Sequence, residues 1–257
     1  MKGLIVAIQF LTRLPTPRFA VSSAEFAASM RWFPAVGLIV GALVAGGACA
    51  GAQIDPGTGA LAALLLWVAI TGALHLDGLG DIADASGAAH KTRGRLSAVE
   101  ARGRPSAVED RERLLAVLAD PHTGSFAVVA IGLQLIAKLV LLHGLVEARA
   151  FAAIALIPFA ARIGPLVWSR WLPDLHSGLG SKFRGAVRPI DLGIWTVLLA
   201  ASALLSPSLF AAPLVFLLWG WWLRRRIGGI SGDGHGAGIE LTESLLLLAA
   251  LVWTHIA

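Results

Sequence analysis

Residues 33–54 of the chain read FPAVGLIVGALVAGGACAGAQI, a run without a single charged side chain. A helix needs roughly 20 predominantly apolar residues to cross the hydrocarbon core of a bilayer. This run alone therefore predicts a membrane-spanning helix, and six further apolar runs follow it. We predict an all-α, polytopic integral membrane bundle of about seven transmembrane helices, at Phe33–Ile54, Ala60–Leu76, Ser125–His143, Phe151–Trp171, Ile190–Leu205, Leu209–Leu223 and Glu240–Ile256.

The composition agrees with a lipid environment. Of 257 residues, 56% are apolar and only 14% are charged, and the mean hydropathy is +0.75. Soluble domains are nearer about 45–50% apolar and about 25% charged. These values argue against an ordinary cytosolic enzyme and rule out a disordered chain. The single cysteine, Cys49, excludes an internal disulfide and a metal–thiolate site.

The N-terminal apolar stretch, Gly3–Leu11, is too short to cross a membrane. Arg13, Pro15 and Pro17 follow it and end it, which predicts a re-entrant or interfacial segment. A secretory signal peptide is the alternative, but the run is not followed by a convincing small-residue cleavage site.

Basic residues are distributed unevenly. The net charge is +5 and the isoelectric point is about 10.3. Counted along the sequence, 17 of the 21 Lys and Arg residues lie in the segments 1–32, 77–124, 172–189 and 224–239. The positive-inside rule places these segments in the cytoplasm and the C-terminus outside. The basic isoelectric point therefore reflects topology, and we expect membrane lipid but no nucleic acid as a partner.

Five tryptophans fall at the same predicted cytoplasmic boundary, as an aromatic belt would. They are Trp32, Trp168, Trp171, Trp221 and Trp222.

We predict one membrane-embedded catalytic domain over residues 1–257, with a cytoplasmic loop and helix at about 85–122. This segment contains a near-duplication, in which Arg93–Glu100 is followed by Arg102–Glu109. Each copy carries Ser-x-x-Glu, a capping box that can start a helix. The second copy runs into Glu109–Leu118, where apolar residues recur at helical spacing, so an amphipathic helix is predicted there.

The most informative polar stretch is Thr71–Asp84, TGALHLDGLGDIAD. Its aspartates, Asp77, Asp81 and Asp84, stand at i, i+4 and i+7, so that a helix would place all three on one face. Three clustered carboxylates repel one another unless a divalent cation binds them, and oxygen ligands suit Mg²⁺ with bound phosphates. A solvated helix end is the alternative. Gly78 and Gly80 leave room for a ligand or for neighbouring backbone.

A second candidate lies in residues 228–243, GGISGDGHGAGIELTE. Its glycines predict a flexible loop whose amides approach phosphate, followed by a helix N-terminus that favours an anion. Asp233 and Glu240 would repel a bound anion unless a metal ion bridged them to it. Alternatively, Glu240 and Glu243 are simply acids of the first helical turn that favour the helix dipole.

Three further polar residues lie within the predicted spans. Arg162 lies deep in a span, where it either contacts a substrate phosphate or pairs with an acid on a neighbouring helix. Lys138 is expected to snorkel to the membrane surface. His75 is either a general base or a structural histidine.

At these residues the chain resembles the cobalamin synthase family, whose members are adenosylcobinamide-GDP ribazoletransferases. The specific part of the resemblance is the His-Leu-Asp-Gly-Leu core at 75–79 together with Gly232-Asp233 and Glu240-Leu241-Thr242-Glu243. Further similarity lies in the opening QFLTRLP at 9–15, FPAVG at 33–37, RERL at 111–114 and GLG at 178–180. The duplicated stretch at 93–109 is longer than the usual loop of that family.

The resemblance implies a reaction of the last steps of cobalamin biosynthesis. A ribose hydroxyl of α-ribazole, or of its 5′-phosphate, attacks the corrinoid-linked phosphate of adenosylcobinamide-GDP, and GMP leaves. The resemblance also implies dependence on Mg²⁺ and a multi-pass location in the bacterial inner membrane, with the active site facing the cytoplasm.

The residues allow an assignment of roles for this reaction. We expect metal ligands at Asp77, Asp81, Asp84, Asp233 and Glu240, and catalytic groups at Asp81, His75 and Glu240. Arg113, Arg162, Lys182 and Gly232 are the candidates for substrate contacts.

Two other classes of membrane protein are the alternatives. A CDP-alcohol phosphotransferase would also use acidic helix faces, but its Asp-Gly-x-x-Ala-Arg motif does not fit Asp77–Ile82. A carrier would distribute polar groups through its spans. The glycine- and alanine-rich face of Gly37, Gly41 and Ala45 allows close helix packing, either within one chain or in a homo-oligomer.

Overall fold

The computed structural model describes residues 2–99, 116–118, 122–175 and 180–256, and these residues form helices without a β-strand. The predicted all-α bundle is confirmed. Its α-helices, in chain order, are α1 (Lys2–Leu11), α2 (Ser23–Ser29), α3 (Phe33–Gly51), α4 (Pro56–Thr71), α5 (Leu74–Val99), α6 (Ser125–Glu147), α7 (Phe151–Ala161), α8 (Gly164–Trp171), α9 (Pro189–Ser202), α10 (Ala212–Arg226) and α11 (Gly232–Ile256).

The described residues contain fewer full-length spans than predicted. Among them, four continuous helical segments are long and apolar enough to cross a membrane, and a bent pair formed by α4 and α5 raises the number to five. The predicted spans Ile190–Leu205 and Leu209–Leu223 correspond to α9 and α10, with 14 and 15 residues. At 1.5 Å per residue these helices are shorter than the roughly 30 Å hydrocarbon core. The four long segments are Ser23–Gly51, Ser125–Glu147, Phe151–Trp171 and Gly232–Ile256.

The predicted span Ala60–Leu76 is interrupted by a sharp bend. Helix α4 ends at Thr71, and the axis turns by 84° before α5. Gly72 adopts a left-handed conformation with φ of 61°, and Ala73 follows with φ of 59°. The amide of Ala73 donates to the Val68 carbonyl and that of Gly72 to the Ala69 carbonyl, which is the hydrogen-bond pattern of a Schellman motif. The bend separates α5 and its aspartates from the apolar helix before it.

Many large apolar side chains remain exposed in the isolated chain. Only 22% of the most apolar window of α6 is buried, and Val128, Leu133 and Ile136 on this helix are each about 60% exposed. Contiguous apolar surface of this kind is rare on soluble monomers and is typical of a lipid-facing helix. The exposed face therefore agrees with a membrane protein.

The small-residue face of α3 packs within the chain. A Cβ atom at Gly37 would lie 2.6 Å from Cα of Phe159, and one at Gly41 would lie 2.8 Å from the carbonyl carbon of Ala155. Both neighbours belong to α7, so these glycines let α3 and α7 approach closely. The intrachain alternative explains this face, and it supplies no evidence for a homo-oligomer.

The N-terminal segment forms the short helix α1, as predicted for a segment that does not span. It contacts α2 and α3. Beyond its end, the amide of Arg13 donates to the carbonyl of Ile70 at 2.7 Å, which ties the N-terminal segment to the last turn of α4.

One member of the predicted tryptophan belt is buried instead. Trp168 is fully buried, and its indole N–H donates to the Phe216 carbonyl at 2.9 Å. Trp171 and Trp221 remain exposed. The belt prediction is therefore wrong for Trp168, because a neighbouring backbone carbonyl satisfies its only polar atom inside the bundle.

The predicted loop and helix at about 85–122 are described in part. Helix α5 continues to Val99, so Ser97 lies inside a helix. The prediction that the capping box at Ser97 begins a helix is therefore wrong. Residues 116–118 are helical. The second copy of the duplication and Arg113 lie outside the described residues.

Candidate active site

The acidic stretch forms one face of α5, as its spacing predicts. Asp77, Asp81 and Asp84 lie within the continuous helix Leu74–Val99. Asp77 is exposed, whereas Asp81 and Asp84 are half-buried. The opposite side of the helix carries Leu79 and Ile82, which are buried in the core. The carboxylates are thus directed to one side of α5.

The N-terminus of α11 packs directly on α5. A Cβ atom at Gly78 would lie 2.9 Å from the carbonyl oxygen of Asp233 and 3.0 Å from its Cα, so only glycine allows this approach. One turn further, Gly236 packs against the backbone of His75, where a Cβ atom would lie 3.4 Å from Cα. The glycine pattern therefore serves helix contact, and it brings Asp233 beside the acidic face.

The four aspartates act on one another electrostatically. Repulsion at Asp81 comes from Asp233, Asp77 and Asp84, with Asp233 the strongest of the three. Asp81 itself makes no hydrogen bond or ion pair to another described residue. A carboxylate in this position is available to a cation or to a substrate proton.

A cavity of about 280 Å³ opens beside the aspartates. Its polar lining consists of Asp77, Asp233, His75 and His235, and Gly78, Gly232 and Gly236 supply backbone. The remaining lining is apolar and comes from α1, α3, α5, α8, α11 and the 3₁₀ turn Gly180–Phe183: Phe10, Leu11, Phe33, Leu74, Pro165, Phe183 and Ile239.

A second, larger cavity of about 550 Å³ lies between α5, α10 and α11. Its lining is almost entirely apolar, with Trp219, Trp222 and Leu245 among the contributors and Ser86 and Ser244 as the polar exceptions. Such a surface offers little to a phosphate, so the acidic cavity is the better candidate for the chemistry.

The family model described as cobalamin-5-phosphate synthase matches the chain over residues 3–100 and 105–251. The chain belongs to the cobalamin-5-phosphate synthase family. Both halves of the acidic site, Asp77–Asp84 and Asp233, fall inside the matched ranges, and the family predicted from the sequence is confirmed.

Similar curated proteins carry one name, adenosylcobinamide-GDP ribazoletransferase. The protein from Novosphingobium aromaticivorans is 60% identical over 262 residues, which cover 99% of each chain. That from Thiobacillus denitrificans is 45% identical over 252 residues, 97% of this chain and 95% of the relative. That from Pseudomonas aeruginosa strain PAO1 is 34% identical over 258 residues, 97% of each chain. No solved structure gives a significant match.

Asp84 has a structural partner in this family member. Its Oδ2 accepts the amide of Gly124 at 2.7 Å, and its Oδ1 accepts the amide of Ala127 at 3.1 Å. Both amides belong to the start of α6, which otherwise lacks a side-chain cap. Because both oxygens satisfy otherwise unpaired helix amides, the structure assigns Asp84 to capping, in place of the predicted metal ligand.

Glu240 lies apart from the acidic cavity, contrary to the prediction. It is seven residues beyond Asp233 on α11, about 10 Å along the helix axis. Its Oε2 lies 2.7 Å from Nζ of Lys138 and accepts a hydrogen bond from Gln134 at 2.9 Å. The predicted metal and catalytic roles of Glu240 are therefore replaced by a buried ion pair between α6 and α11.

The same network explains the two deep cations. Lys138 is buried, and its Nζ also lies 2.6 Å from Oε2 of Glu243, so the predicted snorkelling is wrong. Nη1 of Arg162 lies 2.8 Å from Oε1 of Glu243. Arg162 and Glu243 are fully buried, which favours the alternative in which Arg162 pairs with an acid on a neighbouring helix, and a substrate contact for Arg162 stays a prediction. Two cations and two anions neutralise one another here, as buried charges require.

The remaining substrate candidates have different positions. Gly232 lines the cavity and begins α11, with open space where a Cβ would stand. Lys182 is exposed next to Phe183, and its Nζ lies 3.5 Å from the hydroxyl of Ser23. Both keep their predicted roles as candidates, whereas Arg113 is outside the described residues.

The predicted flexible phosphate loop is wrong for its second half. Residues from Gly232 onward are helical, so Gly234, Gly236 and Gly238 lie within the first turns of α11. A glycine-rich helix is stable here because close packing on α5 and on Trp168 replaces the missing side chains.

Two contributors to the cavity were missed by sequence reasoning. His235 is buried on the cavity wall, and Phe183 covers it from the 3₁₀ turn. The position of His235 two residues after Asp233 was the available signal. Phe183 gave none, because its place in the cavity depends on long-range packing.

The donor chemistry of the site fits Mg²⁺ in part. Asp77, Asp81 and Asp233 supply carboxylate oxygens, and Mg²⁺ usually takes one or two protein carboxylates and fills its other positions with water and phosphate. Within the described ranges, however, no three His, Cys, Asp or Glu side chains converge closely enough to hold an ion by themselves. A magnesium ion here would depend on substrate phosphate for further ligands.

Proposed function

We propose that this chain transfers the adenosylcobinamide-phosphate moiety of adenosylcobinamide-GDP to α-ribazole or its 5′-phosphate. GMP is released, and adenosylcobalamin or its 5′-phosphate is formed. The observation that carries the proposal is the family match over nearly the whole chain, together with relatives of that name at 60% and 45% identity. The acidic cavity supports it as a place for a phosphate reaction.

The proposed step makes one bond between phosphorus and oxygen and breaks another. The ribose hydroxyl oxygen bonds to the phosphorus next to the corrinoid. The bond from that phosphorus to the bridging oxygen breaks, and its electron pair leaves with GMP. The hydroxyl proton goes to a carboxylate of the enzyme, which makes the incoming oxygen a better nucleophile.

The side chains divide this work by position. Asp77 and Asp233 line the cavity, where they position the acceptor hydroxyl and, through a bound cation, would position the donor phosphate. Asp81 is repelled by three neighbouring carboxylates, and it accepts the proton of the acceptor hydroxyl. His75 is the alternative base, since its ring also lines the cavity. Gly232 and Lys182 provide an amide and an ammonium group for phosphate oxygens.

We further propose that the reaction depends on Mg²⁺, held by Asp77, Asp81 and Asp233. A bound magnesium ion would neutralise charge on the pyrophosphate and on the departing GMP. Mutual repulsion of these carboxylates supports the proposal, because a cation offsets it.

The proposed location is the bacterial inner membrane, with the acidic cavity on the cytoplasmic side. Concentration of Lys and Arg in the segments that flank the aspartates supports this orientation under the positive-inside rule. Membrane lipid would then surround the exposed apolar face of α6.

GMP release from adenosylcobinamide-GDP and α-ribazole tests the proposal, with the full chain reconstituted in liposomes and Mg²⁺ present or absent. We expect release that requires both substrates and the metal. Asp81→Asn is expected to lower turnover by at least about 10²-fold, the usual size of a lost proton acceptor.

Asp55→Asn is the matched control, because Asp55 caps α4 through the Thr58 amide and an asparagine oxygen can do the same. Near-normal turnover of Asp81→Asn would contradict the role of this residue. Binding of adenosylcobinamide-GDP by the intact protein without any GMP release would instead indicate a carrier.

A further inference from the structure

Two histidines in the acidic cavity are buried without hydrogen-bond partners. His75 is 2% exposed and His235 is 6% exposed, and both line the cavity. Neither Nδ1 nor Nε2 of either ring is hydrogen-bonded within the described structure. Buried polar atoms in native proteins nearly always bond to protein or to water, so these two histidines are candidates for hydrogen bonds to a molecule in the cavity.

His235 is held between aromatic rings. It stacks on Trp168, with ring centres 6.1 Å apart and planes at 30°, and it meets Phe183 edge-on at 6.3 Å. Phe183 in turn contacts Phe33 at 5.6 Å and Phe10 at 6.1 Å. The ring of His235 is therefore fixed in orientation, and its wall of the cavity is aromatic.

The lining of the same cavity also carries charged groups. Asp77 and Asp233 are its only ionisable carboxylates among the described lining residues. The cavity thus combines an aromatic wall that has imidazole nitrogens with a rim of carboxylates. A molecule that fits this combination has a flat, mainly apolar ring system with few polar atoms, joined to a group that bears hydroxyls.

We propose that this cavity binds the acceptor nucleoside, with its benzimidazole-type base against Phe183 and His235 and its ribose toward Asp77 and Asp233. His235 is the specificity-determining residue, because it hydrogen-bonds a polar atom of the bound nucleoside. His75 supplies the second hydrogen bond. The inference rests on the proposed function for the identity of the acceptor, and it goes further by dividing the site between the two substrates.

The size of the cavity separates the two substrates. A volume of about 280 Å³ accommodates a bicyclic base with its ribose, but a corrin macrocycle is several times larger. The corrinoid must therefore remain outside, so that only its phosphate reaches the carboxylate rim.

The polarity of the lining favours the benzimidazole base of the acceptor over the guanine base of the donor. Guanine presents several donors and acceptors, and most of them would stay unpaired against phenylalanine, leucine and isoleucine. A benzimidazole joined to ribose leaves one ring nitrogen free, which a single imidazole N–H can satisfy. A lipid chain would fill the space but would pair none of the four imidazole nitrogens, whereas the nucleoside pairs one nitrogen on each ring.

Direct binding of α-ribazole to the detergent-solubilised full chain, measured by equilibrium dialysis, tests the subsite without requiring turnover. Kinetic constants for both substrates in liposomes form the second readout. His235→Phe keeps the ring and its stacking on Trp168 but removes both nitrogens. We expect it to raise Kd and KM for α-ribazole about tenfold, the loss of one hydrogen bond, and to leave KM for adenosylcobinamide-GDP within about twofold.

Three further variants make the result specific. His235→Gln restores a donor and is expected to recover part of the affinity for α-ribazole. Phe183→Leu, on a separate element, is expected to weaken α-ribazole binding in the same direction. His143→Phe, the matched control, changes an exposed histidine outside the cavity and is expected to leave both constants unchanged.

Competition assigns the base. Dimethylbenzimidazole is expected to displace α-ribazole from the wild-type protein but weakly from His235→Phe, whereas GMP is expected not to compete. Displacement by GMP that depends on His235 would overturn the inference and assign the cavity to the donor. Unchanged α-ribazole constants in both His235→Phe and Phe183→Leu would also overturn it.

Failure of the inference differs from failure of the proposed function. Normal GMP release by the wild-type protein with unaltered α-ribazole constants in the variants contradicts the subsite alone. Absence of GMP release by the wild-type protein under all conditions contradicts the function, whereas the dialysis result still decides whether the cavity binds the nucleoside.

Discussion

Nζ of Lys138 on α6 lies 2.7 Å from Oε2 of Glu240 on α11, inside the bundle and more than 95% shielded from solvent on both sides. Around this pair, Glu243 and Arg162 complete a neutral group of four charges. The contact joins residues about one hundred positions apart, and it fixes the helix that carries Asp233 relative to α6 and α7.

Replacing Lys138 tests the weight of this network. Lys138→Met leaves Glu240 without its cation, and we expect a loss of about 3 kcal/mol in the free energy of unfolding, because breaking one side of a buried pair leaves an uncompensated charge. Thermal or denaturant unfolding of the purified protein in detergent measures it.

The double variant Lys138→Met with Glu240→Gln removes both charges and is the control. We expect it to be more stable than Lys138→Met alone. A double variant that is equally or less stable would show that the pair is not the source of the loss.

Removing a charge from the acidic face of α5 is expected not to destabilise the protein, in contrast to Lys138→Met. Asp81→Asn relieves repulsion from Asp77, Asp84 and Asp233, so its unfolding temperature without Mg²⁺ is expected to equal or exceed that of the wild type. Added Mg²⁺ is expected to stabilise the wild-type chain, since a ligand of the native state shifts the unfolding equilibrium.

Added Mg²⁺ is expected to stabilise Asp81→Asn less than the wild type. Asp55→Asn is the reference, and it is expected to be stabilised as much as the wild type. Scanning calorimetry over a magnesium series measures both. Equal stabilisation of the wild type and Asp81→Asn would remove Asp81 from the proposed metal site.

Asp84 is expected to behave as a helix cap. Asp84→Ala leaves the amides of Gly124 and Ala127 at the start of α6 without their acceptor, and we expect a loss of about 1 kcal/mol in unfolding free energy. Asp84→Asn keeps one acceptor oxygen and is expected to lose less. Unchanged unfolding of Asp84→Ala combined with lost turnover would return Asp84 to the metal ligands.

Gly78 is expected to be intolerant of any side chain. Gly78→Ala drives a methyl group against the backbone of Asp233, and we expect a loss of about 1–3 kcal/mol together with lower GMP release. Gly132→Ala in α6 is the matched control, because nothing lies within 4 Å of its added methyl group. That variant is expected to be neutral or to gain up to about 1 kcal/mol from helix propensity. A Gly78→Ala protein with wild-type stability and turnover would contradict the close approach of α5 and α11.

The acidic face and the membrane bundle were predictable because each is a local pattern. Spacing of i, i+4 and i+7 places Asp77, Asp81 and Asp84 on one side of any helix, and uninterrupted apolar runs identify the long spans. The contact of Gly78 with neighbouring backbone was one of two alternatives that its missing side chain allows, a bound ligand being the other.

The errors concern partners that are distant in sequence. Glu240 looked equivalent to Asp233, yet Lys138 and Gln134 on α6 decide its environment. The bend between α4 and α5 is an error of a different kind, because it depends on a local residue, Ala73. Its positive φ is unusual outside glycine and gives no signal in the sequence. The burial of Trp168 could not be predicted, because it depends on a hydrogen bond to the Phe216 carbonyl, which is distant in sequence.

The buried glutamates of α11 also impose an order of assembly. Glu240 and Glu243 make α11 costly to insert alone, since an ionised carboxylate in hydrocarbon has no partner there. Synthesis from the N-terminus delivers Lys138 and Arg162 to the bilayer before α11, so their ammonium and guanidinium groups are already present when α11 leaves the ribosome. Release of α11 into lipid is thereby coupled to its pairing with these two cations.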